Sequence, residues 1–588
     1  MKYERIVSGV FKNRPNRFIA HVEIDNKVEV VHVKNTGRCA ELLTTDATVY
    51  LQKTDNPERK TQWDLITVEK GSRLVNMDSQ IPNYVVKEWL EKGDFIPGIT
   101  FIKSEYTYGD SRIDLYVEAG ERRILIEVKG VTLERDNVVL FPDAPSERAV
   151  KHVKELQKAV KEGYEAYVFF VIQMKGVSYF TPNKITHLEL ADALVGARNS
   201  GVNVIAYDCN VTKDSITLQD EVPVVLGAPT LYEMRESLVQ WYQVNQRVLP
   251  WRQSATAYEV WVSEIMLQQT RVEAVKPFYA RFLETLPTVE DLANVEEEKL
   301  LKLWEGLGYY NRVRNMQIAA KQIMEDYDGV FPSSYDEILK LKGIGTYTAG
   351  AIAAFAFHQP KPAVDGNVLR VTARILADDE DIMKASMKKR MESYIAEVIP
   401  PNAASDFNQG LIELGAVICV PNGEPKCTVC PVTQWCEGRK QGLLQQLPVK
   451  AKAKARKIEK RTVLIFKDGE NIALHKRENK GLLAGLYELP NVLNQWSRKE
   501  VIAYSKSIGL TPIQVQKCGD AKHIFSHIEW QMTGYVIRVD ELEKSCSESY
   551  IFVHPEEIQA KYPIPAAFEA YAKYLDIQLG QKAFEKNV

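Results

Sequence analysis

The sequence LKGIGTYTAG, residues 341–350, places Gly343 and Gly345 between two stretches with helical periodicity. A Gly-x-Gly turn before a helix lets backbone N–H groups point outward at a phosphate without obstruction by side chains. Such contacts fix the position of a DNA backbone and carry no sequence information. A glycine-rich connection between two helices would give the same pattern. We predict a helix-hairpin-helix turn in which both glycines contact DNA.

Two acidic residues accompany this turn. Asp365, in VDGNVLRV, directly precedes a helix, where backbone donors should keep a carboxylate ionised. Glu264, in WVSEIMLQQT, lies in a helix among apolar neighbours, which tend to raise a carboxyl pKa. One charged and one protonated carboxylate are what cleavage of a glycosidic bond requires. A plain helix N-cap at Asp365 and a solvent-facing Glu264 are the alternatives.

A cluster of cysteines follows in CVPNGEPKCTVCPVTQWC, residues 419–436, with the spacing C-x7-C-x2-C-x5-C. The charged N-terminal sequence MKYERIVSGVFKNRPNR lacks the apolar stretch of a secretory signal, so we expect a cytoplasmic location, where disulfides are rare. Four clustered thiols then indicate a metal site. The spacing alone leaves tetrahedral zinc and an iron–sulfur cluster open. The four ligands would be Cys419, Cys427, Cys430 and Cys436.

The chain has 588 residues, which is too long for a single hydrophobic core. Its composition, 45% hydrophobic and 26% charged, is typical of a soluble globular protein. No apolar run approaches the ~20 residues of a transmembrane helix, so no membrane partner is expected. The net charge of −3 averages over several domains and excludes no nucleic-acid partner.

The pattern of the sequence changes twice along the chain. Residues 1 to about 226 are strand-rich: RFIAHVEIDNKVEVVHV alternates around a turn at Asp25-Asn26, and the helical SERAVKHVKELQKAVKEG precedes the apolar strand AYVFFVI. Helical patterns dominate from about 229 to 445. The basic segment PVKAKAKARKIEKR predicts a solvated linker, and strand-like runs resume from about 461.

The strand-rich part carries a second group of acidic residues. SRIDLYVEAGERRILIEVKG supplies Asp114 on one predicted strand and Glu127 and Lys129 on the next. Strand alternation puts Glu127 and Lys129 on one face. Two carboxylates near a lysine suit a divalent cation, Mg²⁺ or Mn²⁺, and a water activated for phosphodiester attack, as in the PD-(D/E)xK nuclease arrangement. The E-x-K pattern also occurs in strands as exposed charge.

The second half of the chain resembles MutY-type adenine DNA glycosylases of the helix-hairpin-helix superfamily. PWR, SEIMLQQT, GLGYYNR, LKGIGTYTAG, VDGNV and the cysteine cluster occur in the order found in that family, over about 229 to 580. The resemblance implies removal of adenine mispaired with 8-oxoguanine or guanine in double-stranded DNA. It also implies that the four cysteines hold a 4Fe-4S cluster, which braces a loop carrying Lys426 against the DNA backbone and takes no part in bond cleavage. The seven residues between the first two cysteines are one more than the family pattern has.

The resemblance assigns a role to each matching position. Glu264 would protonate N7 of the flipped adenine, Asp365 would stabilise the oxocarbenium ion, and Tyr347 would assist at that step. Because a tyrosine stands where strand-cutting relatives carry a lysine, base removal without lyase chemistry is implied. The adenine pocket would be lined by Arg247, Leu249, Trp251, Arg252, Gln409 and Ile412. The residues expected to contact DNA are Leu267, Gln268, Gln269, Thr270, Tyr309, Gly343, Gly345 and Asn367.

The C-terminal part resembles the Nudix fold and contains HIFSHIEW, residues 523–530. In the resemblance this loop recognises 8-oxoguanine: Phe525 packs into the duplex, while Ser526 and His527 offer hydrogen bonds to the oxidised edge. A buried strand with a satisfied histidine is the alternative. The segment SRKEVIAYSKSIG lacks the paired glutamates that Nudix hydrolysis needs, so this domain is expected to read the lesion and hydrolyse nothing.

The strand-rich part also contains NTGR at 35–38, KSEYTYGDSRIDLYVE, IEVKGVTL and FPDAPSERAVKHVKEL. On these motifs, residues 1–226 resemble the sugar fermentation stimulation protein A (SfsA) family. It implies an OB-like barrel joined to a PD-(D/E)xK-like domain, with Glu105, Asp114, Glu127 and Lys129 as a candidate metal site. Whether such a domain cuts DNA or only binds it stays open, and OB barrels bind single-stranded DNA.

Together the patterns and the resemblances imply a multidomain chain that acts as a monomer. The fold would comprise an OB-like β-barrel, an α/β PD-(D/E)xK-like domain, an all-α helix-hairpin-helix glycosylase domain with an iron–sulfur cluster loop, and an α+β Nudix-like domain. The expected boundaries are 1–80, 81–226, 227–447, a basic linker at 448–460, and 461–588. Two alternatives stay open: an active metal-dependent nuclease in the N-terminal half, and a catalytically silent DNA-binding regulator.

Overall fold

The computed structural model describes residues 1–588 except Thr36, Asp55, Pro57, Asp94 and four short ranges. Those ranges are 254–255, 452–454, 540–549 and 580–588. The chain folds as two compact units, Met1–Glu233 and Met234–Val588. The predicted NTGR motif and basic linker each lie in part outside the described residues. No helix in the described residues has both the length and the apolarity to cross a bilayer.

The first unit begins with a closed barrel. Its sheet runs in the order β3-β2-β1-β4-β5-β6, and an added parallel pairing of β3 with β5 closes five of these strands on themselves. Closure pairs the edges that an open sheet would expose. The strands are β1 (Ile6–Asn16), β2 (Ile19–Ile24), β3 (Lys27–Val33), β4 (Thr48–Lys53), β5 (Trp63–Lys70) and β6 (Arg73–Asn76).

The turn predicted at Asp25-Asn26 joins β2 to β3. Both residues have positive φ, 49° and 63°, and Ile24 pairs with Lys27 across the turn. A two-residue turn of this kind needs positive φ at both positions, and Asn and Asp tolerate that conformation better than most residues. The alternation of β2 and the turn therefore follow from the local sequence, which confirms the prediction.

A mixed α/β layer completes the first unit. Its main sheet runs β15-β14-β12-β9-β8-β7, with β9, β12 and β14 parallel, and β10, β11 and β13 form a smaller sheet. The elements are α1 (Ile81–Glu91), β7 (Ile99–Tyr108), β8 (Ser111–Ala119), β9 (Arg122–Val131), β10 (Glu134–Arg135), β11 (Val138–Phe141), α2 (Glu147–Lys161), β12 (Glu165–Ile172), β13 (Tyr179–Pro182), α3 (Leu188–Asn199), β14 (Asn203–Val211) and β15 (Ile216–Glu221).

Helix α2 shows why this layer forms where the sequence predicts it. The Ser146 hydroxyl accepts a hydrogen bond from the Ala149 N–H, which caps the first turn. Gly163, with φ of +85°, follows the C-terminal end. The apolar face of α2 then packs on the sheet, and β12 is almost wholly buried, as its unbroken apolar sequence predicts.

Helices begin at the end of the first unit and continue into the second. They are α4 (Pro229–Asn245), α5 (Ala257–Leu267), α6 (Val272–Thr285), α7 (Val289–Asn294), α8 (Glu297–Leu303), α9 (Asn311–Asp326), α10 (Tyr335–Ile338), α11 (Thr346–Phe355), α12 (Gly366–Leu376), α13 (Ala385–Val398), α14 (Ala404–Val417) and α15 (Glu437–Lys440). Two caps position the acidic residues identified above: Thr256 and Glu259 form a capping box at the start of α5, and Asp365 is the N-cap of α12.

The glycines of LKGIGTYTAG form the predicted turn between α10 and α11. Gly343 has φ of +80°, and a Cβ there would lie 2.6 Å from the Cβ of Asn315, so a side chain is excluded on two grounds. Gly345 is the N-cap residue of α11. The predicted turn is confirmed, and the contact of both glycines with DNA stays a prediction.

The chain ends in a sheet flanked by short helices. The elements are β16 (Lys457–Asp468), β17 (Asn471–Lys476), β18 (Tyr487–Glu488), β19 (Asn491–Leu493), α16 (Arg498–Ser507), β20 (Pro512–Ile524), β21 (Ile528–Val539), β22 (Ile551–Val553) and α17 (Pro555–Lys561). Strand β16 begins inside the segment expected to be a linker. Leu486, between β17 and β18, is fully buried in the hydrophobic core of the helices.

Candidate active site

A cavity of about 1200 Å³ among the helices brings the two predicted catalytic carboxylates together with Tyr347. Glu264 is only 6% exposed, and the Tyr347 hydroxyl donates a hydrogen bond to its Oε2 at 2.5 Å. Burial raises the pKa of Glu264 to about 7, a rise that the nearby Asp365 charge supports and that the hydrogen bond from Tyr347 opposes. A protonated glutamate is therefore populated at neutral pH, as the sequence predicts.

Asp365 is held by donors at the start of α12. Its Oδ1 accepts the Val368 N–H at 2.7 Å and its Oδ2 accepts the Asn367 side-chain amide at 2.7 Å. The predicted donors are present, and the ionised state of Asp365 stays a prediction. Burial raises the pKa of Asp365 above its ordinary value, and the donors offset this rise only in part. Asn367, predicted to contact DNA, thus binds the carboxylate inside the cavity.

The two pocket arginines share one buried acid that the sequence reasoning missed. Glu413 is fully buried, and Arg247 Nε donates to its Oε1 at 2.7 Å while Arg252 Nη2 donates to its Oε2 at 2.9 Å. Burial acts to raise the pKa of Glu413, yet the hydrogen bonds from both arginines hold it below the ordinary value. A lone acid in the apolar sequence LIELGAV was the signal for it.

The remaining predicted pocket residues line the same cavity. They are Leu249, Trp251, Gln409 and Ile412, with Leu249 and Trp251 almost fully buried. Gln409 is oriented by Tyr242, whose hydroxyl donates to its Oε1 at 2.9 Å. Tyr242 was not predicted, because a tyrosine in an amphipathic helix is normally a core residue.

Most of the predicted DNA-contacting residues border this cavity as well. Leu267, Gln268, Gln269, Thr270 and Asn367 line it, at and just beyond the end of α5 and at the start of α12. Gly343 lies in the hairpin turn and borders a different, smaller cavity of about 190 Å³. Tyr309 is 53% exposed and lines a third cavity.

That third cavity, of about 510 Å³, lies where the helices meet the C-terminal sheet, and it contains the three predicted lesion-reading residues. Ser526 and His527 are exposed in the loop between β20 and β21, and the Ser526 hydroxyl lies 2.9 Å from the Tyr309 hydroxyl. Phe525 instead packs edge-on against Trp530, with ring centroids 4.9 Å apart. It is partly buried in its own domain, and its packing into the duplex stays a prediction.

The four clustered cysteines line one small cavity together with Arg374 and Arg439. Arg374 Nη1 donates to Cys419 Sγ at 3.3 Å. A side chain at Gly438 would collide with the Arg374 carbonyl oxygen, so α15, directly after the cysteines, packs tightly on α12. Four convergent sulfur donors beside a cation fit a thiolate-bound metal centre. The extra residue between the first two cysteines falls in an exposed turn at Gly423, with φ of +84°, as expected.

In the first unit, β8 and β9 bring Asp114 and Glu127 together. Asp114 accepts hydrogen bonds from the Val128 N–H at 2.8 Å and the Asn83 side-chain amide at 2.9 Å. Glu127 is 1% exposed, and its Oε1 accepts from Lys129. Burial and the neighbouring Glu127 charge raise the pKa of Asp114. Among the described residues, Glu127 Oε2 is buried and has no hydrogen-bond partner.

Glu105 does not join this group, and its predicted place there is wrong. It is 62% exposed on β7, has φ of +54°, and pairs with Arg112 at 2.5 Å. The outward position follows from an irregular backbone that strand alternation cannot anticipate. His152, on α2, contacts Glu127 Oε1 instead. Because Arg148 Nε donates to His152 Nε2, at 3.4 Å, the proton on Nδ1 is the one donated to Glu127.

Comparison with known families covers each of these regions. Residues 13–77 match the SfsA N-terminal OB domain, and residues 80–215 match the sugar fermentation stimulation protein RE domain. Residues 262–400 match the HhH-GPD superfamily base excision DNA repair protein, and residues 461–574 match the NUDIX domain. The multidomain fold class is thereby confirmed.

Curated relatives fall into two groups. The sugar fermentation stimulation protein homolog of Ruminiclostridium cellulolyticum is 58% identical over 226 residues, which is 38% of this chain and 100% of that protein. That of Desulfitobacterium hafniense is 59% identical over 226 residues, 38% of this chain and 99% of that protein. The adenine DNA glycosylase of Arabidopsis thaliana is 36% identical over 351 residues, and the chain spans about half its length: 50% of this chain matches 55% of that protein.

Two solved structures match separate parts of the chain. The structure of Pyrococcus furiosus SfsA in complex with Ca²⁺ is 27% identical, with a TM-score of 0.35, and covers 38% of this chain and 97% of that one. A trapped endonuclease III–DNA covalent intermediate is 25% identical, with a TM-score of 0.31, and covers 36% of this chain and 97% of that one. The chain belongs to the sugar fermentation stimulation protein family through its N-terminal part and continues into a base excision DNA glycosylase domain and a NUDIX domain.

Proposed function

We propose that the chain hydrolyses the N-glycosidic bond of adenine mispaired with 8-oxoguanine or guanine in double-stranded DNA. The observation that carries this proposal is the buried Glu264, which has its pKa raised to about 7 and shares one cavity with Asp365. An acid that is protonated at neutral pH, beside a second carboxylate, is the pairing that glycosidic cleavage uses.

The reaction assigns each group one task. The adenine must leave the base stack to reach the cavity, which costs a few kcal/mol. Glu264 gives its proton to N7 of the adenine, so the electron pair of the breaking bond leaves with a neutral base. The Asp365 carboxylate stabilises the positive charge that develops on the sugar. Water then adds to the sugar carbon and releases a proton, which restores Glu264.

The same site argues for base removal alone. Tyr347 stands at the start of α11 and donates to Glu264, and it offers no amine that could form a Schiff base with the sugar. The product is therefore an intact strand with an abasic site. This strand breaks in alkali and stays whole without it.

Two further parts complete the proposal. Ser526 and His527 read the oxidised edge of the partner base, because they are exposed at the rim of the cavity shared with Tyr309. The four cysteines hold a 4Fe-4S cluster, which would supply a rigid cross-link for the loop that exposes Lys426. Reduced thiolates of this kind fit a cytoplasmic protein, and the chain acts as a monomer.

One experiment tests the central assignment. A duplex with a single A:8-oxoguanine pair is incubated with the wild-type chain in chelator, and the strand is analysed before and after alkali. Cleavage that requires alkali is expected. Glu264→Gln should bind the duplex and release adenine at least roughly 100-fold more slowly than the wild type. Strand cleavage without alkali in chelator, or normal turnover by Glu264→Gln, would contradict the proposal.

A second function, in the first unit, is favoured by Glu127. A buried carboxylate oxygen without a partner among the described residues, beside Asp114, suits a divalent cation such as Mg²⁺ or Mn²⁺. Lys129 and His152 both contact the other oxygen of Glu127, so the first oxygen stays available. The activity would be metal-dependent cleavage of DNA. The barrel would hold single-stranded DNA, and binding without cleavage is the remaining alternative.

This second function has its own test. Nicking of DNA is measured with Mn²⁺ or Mg²⁺ in the Glu264→Gln background, so that abasic sites do not contribute. Lys129→Ala should abolish metal-dependent nicking. Glu105→Ala is the matched control, because that exposed carboxylate lies outside the group. Nicking that both variants retain would identify a contaminant. No nicking by the parent protein would leave a DNA-binding domain.

A further inference from the structure

Two exposed residues at the predicted DNA-contacting surface adopt the same unusual backbone conformation. Gln269, just beyond the end of α5, has φ of +60°, and Tyr309, just before α9, has φ of +48°. Residues with side chains rarely occupy this left-handed region, and they do so where surrounding contacts hold them. If the chain flips adenine as proposed above, the side chains of Gln269 and Tyr309 are the groups that fill the space beside the partner base.

A single side chain, that of Arg312, contacts the backbone directly before both Gln269 and Tyr309. Arg312, in the first turn of α9, donates through Nη1 to the carbonyl oxygens of Ile265 at 2.7 Å, Met266 at 3.5 Å and Gln268 at 2.7 Å. These carbonyls end α5 and have no partner within that helix. A cation at the C-terminal end of a helix is also stabilised by the helix dipole.

The other nitrogen of the same guanidinium reaches the second loop. Arg312 Nη2 donates to the carbonyl oxygens of Leu307 at 2.9 Å and Gly308 at 3.1 Å, directly before Tyr309. The guanidinium also lies 5.3 Å from the ring centroid of the buried Trp304 and 5.7 Å from that of Tyr309. The guanidinium of Arg312 therefore holds the backbone before Gln269, the backbone before Tyr309, and the ring of Tyr309 itself.

We infer that Arg312 is a positioning residue that sets the spacing of Gln269 and Tyr309, so that both enter the duplex as one rigid wedge when adenine is extruded. The inference rests on the proposed glycosylase function. Arginine is required for this because its two terminal nitrogens form a rigid fork. A lysine carries three N–H donors on one nitrogen, so it can bind fewer of these five carbonyls than the two nitrogens of the fork do.

The test compares Arg312→Lys and Arg312→Met with Arg281→Met. Arg281 is the matched control, because it is another partly buried arginine that donates to a backbone carbonyl, that of Leu303 at 2.9 Å. Single-turnover release of adenine is measured on two duplexes. In one, adenine stands opposite 8-oxoguanine; in the other, it stands opposite an abasic analogue and is already unpaired. Extrusion is monitored by 2-aminopurine fluorescence at the target position.

We expect Arg312→Met to slow release opposite 8-oxoguanine roughly 100-fold, the scale of a 1 Å misplacement, and Arg312→Lys to slow it less. The loss should shrink at least several-fold on the unpaired duplex, where extrusion needs less work. The fluorescence rise should weaken in parallel, and the pH dependence of release should stay unchanged, since Glu264 is untouched.

Three results would overturn the inference. Equal losses on the two duplexes would mean that Arg312 acts through Glu264, which precedes Ile265 in α5. A shifted pH profile would mean the same. Rates and fluorescence equal to those of Arg281→Met would remove any positioning role. A wild-type protein that releases adenine from neither duplex would instead refute the proposed function, so the two failures are distinguishable.

Discussion

The hydroxyl of Tyr309 lies 2.9 Å from the hydroxyl of Ser526, although 217 positions separate them in the chain. The first residue is assigned to the space beside the partner base, and the second to its oxidised edge. In the protein without DNA the two hydroxyls form a hydrogen bond with each other. On the proposed function, a lesion that engages both hydroxyls would replace this contact, which would couple insertion of the tyrosine to recognition of the base.

Ser526→Ala combined with His527→Ala should narrow the preference for adenine opposite 8-oxoguanine over adenine opposite guanine. Each lost hydrogen bond is worth about 1 kcal/mol, so the ratio of the two excision rates should fall roughly tenfold or more. Single-turnover rates on both duplexes give the ratio. Ser507→Ala, on the exposed end of α16 in the same domain, is the control. A ratio equal to that of the control would show that Ser526 and His527 do not recognise 8-oxoguanine.

Glu264→Gln should lower the rate of adenine release by roughly 10²–10⁴-fold, the contribution of a general acid. The amide retains the shape of the side chain, so the dissociation constant of the duplex should change little. Gel-shift titration and single-turnover release measure the two quantities separately. A large loss of binding would show that Glu264 supports the cavity and does not supply the proton.

The same variant should remove a pH dependence of stability. The pKa of Glu264 rises from 4.5 to about 7 on folding, so the folded state binds an extra proton between those values. Wild-type stability should therefore fall as the pH rises through this window, by up to about 3 kcal/mol. Urea unfolding of wild type and Glu264→Gln at pH 5 and pH 8 gives the difference. A variant whose advantage does not grow with pH would contradict the raised pKa.

Glu413→Gln should destabilise the helical domain and weaken substrate binding together. Removal of the charge leaves Arg247 and Arg252 without their shared carboxylate, and breaking a buried ion pair costs roughly 3–5 kcal/mol. Thermal unfolding and KM measure the two effects. Glu557→Gln, which removes an exposed pair with Lys561, should change either quantity very little. A change in stability without a change in KM would show that Arg247 and Arg252 take no part in substrate binding.

Cys430→Ser should release the bound metal, and purified wild-type protein should contain iron and sulfide with visible absorption. Cys518→Ser, in β20, should leave the metal content unchanged because it lies outside the cluster. Elemental analysis and absorption spectra measure both. One zinc ion per chain and no iron would replace the 4Fe-4S assignment with a tetrahedral site.

Local sequence predicted those features whose cause is local. The turn at Asp25-Asn26, the cap at Asp365 and the burial of Glu264 all follow from a few neighbouring residues. Features that depend on partners far away in the chain could not be predicted from the sequence. The net pKa of Asp365 depends on how much of the fold covers it, and His152 reaches Glu127 only because α2 packs on the sheet.

The same distinction explains the wrong position of Glu105. Strand periodicity assumes a regular backbone, and the positive φ at Glu105 turns its side chain outward. Glu413 was missed for a different reason. Its arginine partners are 161 and 166 positions away, so only the unusual acid in an apolar helix pointed to it.

Leu486 has a consequence for how this chain can be divided. The basic segment before β16 looks like a natural place to separate the repair enzyme from its C-terminal partner. Yet Leu486 fills the interior of the helices, and Arg314 holds the carbonyl oxygen of Ala484 beside it at 2.8 Å. A truncated protein ending before residue 457 would carry a leucine-sized void, worth roughly 2–5 kcal/mol. The helical domain therefore completes its hydrophobic core with a side chain from the C-terminal domain, and a cut at the basic segment would remove it.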